Sequence, residues 1–382
     1  MANPRKTITS LIALTAACQS QALDAPSDNS LSYRYSQYQQ TRFPESQISS
    51  GSADAIIGDF HQLQWKKKLA DDWLLNLGGS QKKTSGAHAS QTSENDQGVV
   101  QTTMSGASVD KQHLSFNVAS EHYFRYGKLA AGIRHKDEKD LSGQQVHLES
   151  LLELNSAQTV IGASFAYGED KLDPTDPQQS EKRRQAKGKK RQFQQWQVNL
   201  SQVLNKYEIV RLSYGQQQHN GLLDDPYRDI DSRPDLRKAD IVTLEYRFYV
   251  KPWKGAIHSD YRYYSDNWEI TSHTLKAAWL QDLTHWFRWR LEGRVYQQQQ
   301  ALFYSLDNSQ KNLFQSNDPQ LSGFGSLSYA VGVDLTLRNI TLSADWRSYF
   351  SREKWGPDGD KTPDAPELVN YNLASFAIRY RY

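Results

Sequence analysis

The sequence predicts an all-β fold: a closed, antiparallel, up-and-down transmembrane β-barrel of about 16 strands, with short periplasmic turns and long extracellular loops. Three observations point there. Segments of about ten residues alternate apolar and polar side chains with a period of two, the signature of a strand with two unlike faces. Short connections, near residues 70, 125, 156, 205, 251, 284 and 338, alternate with mostly longer ones. In a closed meander every second connection lies on the same side, so this alternation separates a short-turn end from a long-loop end. The chain also ends in such a segment: in 370–382, Ala374, Phe376, Ile378, Tyr380 and Tyr382 alternate with Ser375, Ala377, Arg379 and Arg381. A terminal strand with a final aromatic residue suits the barrel-closing strand read by the barrel-assembly machinery.

The elements follow in order. Residues 1–22 read as a secretory signal: Arg5 and Lys6 open it, 8–17 is its apolar stretch, and Ser20-Gln21-Ala22 is a small-x-small cleavage site. Thr15-Ala16-Ala17-Cys18 partly resembles a lipoprotein cleavage box, with Thr where Leu is usual. The rest, 23–382, reads as one barrel domain. Its strands are predicted at 31–40, 55–68, 73–83, 113–123, 128–136, 146–154, 159–167, 192–203, 207–217, 240–248, 256–264, 270–281, 287–298, 323–337, 340–350 and 370–382. Between them, 84–110, 137–145, 169–191, 218–239, 299–322 and 351–371 read as polar connections on the long-loop side.

Composition agrees with a barrel and excludes several function classes. Mean hydropathy is −0.76 and 37% of the 382 residues are hydrophobic, which hides strands apolar only at alternate positions. The 21 Tyr and 10 Trp suit membrane–water interfaces. Cys18 is the single cysteine and leaves with the signal, which excludes disulfides, thiolate metal sites and a cysteine nucleophile. Arg5 and Lys6 leave too, taking Lys+Arg from 45 to 43 against 43 Asp+Glu, so nothing points to nucleic acid.

The two faces differ in chemistry. Val242, Leu244, Tyr246, Phe248, Trp289, Leu291, Val295, Leu327, Tyr329, Val331, Val333, Leu335, Ile340, Leu342 and Trp346 are assigned to lipid. Glu245, Arg247, His258, Asp260, Arg262, Lys276, Arg288, Arg290, Glu292, Arg294, Asp334, Asp345, Arg347, Arg379 and Arg381 are assigned to the lumen. A cation at the lipid midplane costs about 2–4 kcal/mol, which forces the split. The lumen set holds nine cations and five acids. It is either a salt-bridge lattice that stiffens the wall or an anion-favouring conduit.

Several stretches together resemble one family: the 225–237 loop with Asp225, Pro226, Tyr227, Arg228, Asp231, Arg233, Pro234 and Arg237; Tyr261 through Trp268; Ser272-His273-Thr274-Leu275; Ala301-Leu302-Phe303-Tyr304; and Leu321 through Gly325, with paired Ser-Gly-Ala segments upstream. The chain is identified by them as a member of domain of unknown function family 3570, secreted barrels of the proteobacterial outer membrane. The first Ser-Gly-Ala lacks the proline that often follows it. The resemblance implies fold and place, no activity, and a gene neighbourhood of thioredoxin-like and flavin-transferring proteins, hence a redox-linked envelope system.

Sites are few. The acids at 224–237 either bind Ca²⁺ or are neutralised by the loop's own arginines. The basic run Lys182, Arg183, Arg184, Lys187, Lys189, Lys190 and Arg191 is either a solvated loop or a contact for lipopolysaccharide phosphates. His258 with Asp260, and His273 with Asp266 or Ser272, are hydrolase-like pairs of the kind ten histidines and many acids produce by chance, and no enzyme and no cofactor are predicted. The expected function is a porin-like channel or conduit in the outer membrane of a Gram-negative cell; the alternative is a structural, adhesive or assembly barrel with a closed lumen. Expected partners are outer-membrane lipid and lipopolysaccharide, and periplasmic or lipoprotein partners.

Overall fold

The structure, a computed structural model, describes residues 28–87, 89–94, 100–105, 111–307, 312–357, 359 and 368–382. The expected signal, Cys18, the Gly106-Ala107-Ser108 segment and much of 358–367 lie outside the described residues. In chain order the strands are β1 Ser30–Gln40, β2 Ile48–Ser50, β3 Ile57–Lys68, β4 Trp73–Ser85, β5 Ala89–Glu94, β6 Val100–Met104 and β7 Lys111–Phe124. They continue with β8 Gly127–Glu138, β9 Leu141–Leu154, β10 Thr159–Leu172, β11 Lys190–Asn205, β12 Glu208–Gly221, β13 Asp231–Ser232 and β14 Leu236–Val250. The last are β15 Gly255–Asp266, β16 Thr271–Asp282, β17 Phe287–Gln298, β18 Gln315–Ser316, β19 Phe324–Leu337, β20 Ile340–Arg352 and β21 Tyr371–Arg381.

Sixteen of these close into one antiparallel barrel, in the order β1-β21-β20-β19-β17-β16-β15-β14-β12-β11-β10-β9-β8-β7-β4-β3. The predicted fold class and strand number are therefore correct. Closure is made by β1 against β21, with Ser36 opposite Ser375 and their hydroxyls 2.8 Å apart. Closing the sheet leaves no edge, so every barrel strand has a partner on both sides, as a bilayer without competing water requires.

The alternation in sequence becomes the two faces of the wall. On β19, Leu327, Tyr329 and Val331 are exposed on the outside, while Ser326, Ser328 and Ala330 face in and are buried. The same holds around the barrel, where Leu63, Phe116, Ile133, Leu200, Leu212, Leu275 and Phe376 are exposed. A continuous apolar outer band suits lipid as the surrounding solvent. The short-turn end carries exposed Trp73, Tyr126, Trp253 and Trp286, rings suited to an interface. Its turns are tight: Asn155, Ser156 and Ala157 all adopt left-handed backbone between β9 and β10, as does Arg338 between β19 and β20.

Three connections differ from their sequence reading. The 84–110 insert holds β5 and β6, which join β2 in a small three-stranded sheet. The 137–145 connection shrinks to a tight turn, because β8 runs to Glu138 and β9 begins at Leu141. The 169–191 connection is shortened at both ends and carries a short helix, Glu181–Ala186. The cause is common to all three. Beyond the lipid the outward face becomes polar, the period-two contrast fades, and strands look like loops.

Candidate functional site: the lumen wall and its outer cap

Register places the predicted lumen residues on one inward face. Arg247 lies opposite His258, Glu245 opposite Asp260, Asp260 opposite Lys276 and Lys276 opposite Arg294. On β17, Arg288, Arg290, Glu292 and Arg294 face Asp334, Gly332, Ala330 and Ser328 of β19. Long side chains thus stand opposite small ones. The pattern is tightest at Gly332, where an added Cβ would lie 2.5 Å from Arg290 Nη2 and from Asp345 Oδ1. The missing side chain lets Arg290 reach over β19 to Asp345 on β20.

Most of the wall charges are paired. Arg247 binds Asp260, and Glu245 at 3.2 Å; Lys276 binds Asp260 at 2.8 Å; Arg347 binds Glu292 at 2.8 Å; and Arg34 lies 3.8 Å from Asp345. Arg290 also lies 3.9 Å from Asp334, and Arg288 meets Asp282 at the short-turn end. The other half of the wall has its own pairs, which the sequence reading did not name. Lys128 binds Glu149 at 2.9 Å and lies 3.5 Å from Glu121; Lys136 binds Asp170 at 2.8 Å. The same period-two rule, carried back before residue 240, finds them.

Beside Arg134 on β8, two arginines of the β15–β17 wall stand apart. Among the described residues, Arg262 and Arg294 meet no carboxylate. Each lies instead against the ring of an inward tyrosine two residues on, Tyr264 at 5.7 Å and Tyr296 at 5.2 Å. Tyr349 and Tyr371, with centroids 4.9 Å apart, and Tyr38, 4.9 Å from Tyr371, continue this inward aromatic row toward β1. Arg379 and Arg381 are on the same face but exposed near the short-turn end.

The long-loop mouth is spanned by an ordered cap. Its centre is the 222–235 connection, joined to the 299–322 connection by the two-residue pairing of β13 with β18. Arg233 donates to Asp231 at 2.8 Å and to Asp318 at 3.0 Å, and Arg228 donates to Asn317 and lies 3.9 Å from Asp318. All four charged residues are nearly solvent-free: Arg228, Asp231 and Asp318 are 1% exposed and Arg233 is 6% exposed. Burial alone would raise the Asp318 pKa, but Arg228 and Arg233 hold it well below the usual carboxylate range. A small apolar core of Trp268, Ile270, Ala301, Tyr304 and Leu321 joins the same 299–322 connection to the β15–β16 turn.

The cap also reaches the opposite wall. Tyr227 donates to Asp140 at 2.6 Å and accepts from the Thr175 backbone N–H at 2.8 Å. Its ring lies between Lys111 at 4.9 Å and Arg183 at 4.6 Å. Lys182 donates to the carbonyls of Arg228 and Asp231 at 3.2 and 2.7 Å, and its burial lowers the amine's pKa. The basic run is thus partly engaged in holding the cap. Arg237 leaves it along β14, pairing with Asp266 and lying 4.5 Å from the Trp268 ring.

The remaining sequence candidates separate. His273 faces outward, bonded to Tyr261 at 2.7 Å, while Ser272 faces inward and is buried. Asp266 is taken up by Arg237, Tyr264 and two backbone N–H groups. Asp260, beside His258, is bound by two cations. Among the described residues, no group of three or more His, Cys, Asp or Glu could hold a metal ion. Asp318, central to the cap, was not named in the sequence reading, since its arginine partners lie 85 residues or more away.

The fold is similar to several solved barrels at low identity. A bacterial polysaccharide outer membrane secretin is 11% identical, with 92% of this chain and 98% of that chain covered and a TM-score of 0.46. CdiB from Acinetobacter baumannii is 8% identical, over 92% of this chain and 60% of that chain, with a TM-score of 0.49. OpdQ of Pseudomonas aeruginosa is 8% identical, over 93% and 98%, with a TM-score of 0.45. No curated protein matches the chain in sequence. A family match covers residues 7–359, and the chain belongs to that family, described as Protein of unknown function (DUF3570).

Proposed function

We propose that this chain is an integral outer-membrane barrel that acts as a porin-like conduit for small solutes, with its outer mouth closed at rest by the 222–235 cap. One observation carries the reading: a charged lumen wall lies under a cap tied by buried ion pairs, and such ties can be released together. The barrel sits among outer-membrane lipid and lipopolysaccharide with its long loops outward, after removal of residues 1–22. No catalysis and no cofactor are proposed. Any link to a redox-linked envelope system, through periplasmic or lipoprotein partners, rests on the family resemblance alone. The apolar core at the 299–322 connection favours a second reading, a structural, adhesive or assembly barrel whose lumen stays shut.

Conductance in planar bilayers separates the two. The conduit reading expects rare, small openings from the native protein and frequent, larger ones from Asp318→Ala, which removes the partner shared by Arg228 and Arg233. Silence from both proteins supports the closed barrel. Protease cutting between 173 and 189 on intact cells checks the orientation; cutting only after the outer membrane is broken contradicts it.

A further inference from the structure

Resting on the conduit reading only for its location in the lumen, we propose that Arg262 and Arg294 form a binding site for the oxyanion group, carboxylate or phosphate, of a small solute. The wall supplies the argument by contrast. Arg247, Lys276, Arg290 and Arg347 each have an acid within ion-pair distance, and Arg262 and Arg294 have none among the described residues.

The nearest acids along their own strands are already occupied. Asp260, two residues before Arg262, is bound by Arg247 and Lys276; Glu292, two residues before Arg294, is bound by Arg347. Across the ladder, Arg262 is flanked by Thr243 and Thr274, and Arg294 by Lys276 and Ser328. No flanking residue is an acid, and the hydroxyls can donate to an anion. The two stand on β15 and β17, on the same inward face, with Thr274 and Lys276 of β16 between them. Two neighbouring forks, partly withdrawn from water and facing a lumen, are best satisfied by an oxyanion that accepts from both. Tyr264 and Tyr296 flatten the approach and hold the guanidinium planes by cation–π contact.

Titration calorimetry on the detergent-solubilised barrel tests this, with inorganic phosphate and citrate as separate probes. At least one probe should bind, phosphate marking a phosphoryl solute and citrate alone a carboxylate one. The R262Q/R294Q double variant should weaken that binding tenfold or more, while Arg288→Gln, paired at the short-turn end, should change it less than twofold. Heat-modifiable migration on gels verifies that each variant is folded. If the double variant does not fold, R262K/R294K keeps the charge but loses the forks, and should weaken binding about threefold or more. Binding of neither probe, or binding unaffected by these variants, overturns the site. Conductance without probe binding removes the site and leaves the conduit. Variant-sensitive binding without conductance removes the conduit and leaves the site.

Discussion

The cap and the lumen wall are built from the same pairs, Arg with Asp or Glu, yet the pairs do different things. In the cap, Arg233, Asp231 and Asp318 have side chains at most 3% exposed. On the wall, Arg290 with Asp345, and Arg347 with Glu292, retain between 14% and 31% exposure. A buried pair that loses one member leaves an uncompensated charge, at a cost of about 3–5 kcal/mol. A solvated pair contributes about 1 kcal/mol or less. The cap is therefore held by its charges. The wall is held by its backbone ladder, and its charges are free to shape the lumen.

The largest expected effect follows directly. Asp318→Ala should destabilise the closed cap by about 3–5 kcal/mol, because Arg228 and Arg233 lose their shared acid. Limited proteolysis should then cut within 222–235 at least tenfold faster, with the barrel band on gels unchanged. Equal cutting rates would mean that the cap is held by its apolar core instead.

A wall variant sharpens the contrast. Gly332→Val places a branched side chain where Cβ alone meets Arg290 and Asp345. Overpacking of this kind costs about 1–3 kcal/mol, read as a lower urea midpoint in detergent with no change in cap proteolysis. Cutting at the cap that rose with it would show that wall and cap are coupled.

Much of this architecture is legible in the chain. Strand number, facing and the closing pair β1–β21 follow from period-two alternation, because lipid outside and water inside impose opposite chemistry on alternate residues. The 225–237 motif is legible as an ordered loop, since Pro226 and Pro234 restrict it and its arginines can neutralise most of its acids. Its partners are not. Asp318, Asp140 and Lys182 join it only through folding, and no local pattern marks a contact across 40 residues or more. Nor does alternation distinguish Arg262 from Arg290; both face inward, and only the three-dimensional pairing shows which one lacks an acid.

pH separates the regions more gently. Because the folded-state pKa of Asp318 is depressed, its contribution is complete above the unfolded value of about 3.9 and is lost as pH falls through the folded value. Asp140, held low by Lys111 and Tyr227 against the effect of burial, acts in the same direction. Cap protection should be flat from pH 6 to 8 and fall only below about pH 4. A loss centred near pH 6 would implicate a histidine instead. The smallest effect is expected from Asp282→Asn, whose bridge to Arg288 is half exposed; it should cost about 1 kcal/mol or less in urea unfolding and leave the cap untouched.

The most direct test is to lock the cap and measure current. Ser232 and Gln315 are partners in the β13–β18 pairing, at a spacing within reach of a disulfide. In the Asp318→Ala background, Ser232→Cys with Gln315→Cys should conduct in planar bilayers when reduced and fall silent when oxidised, reversibly on adding dithiothreitol. A current identical in both redox states would show that the 222–235 cap does not close the lumen.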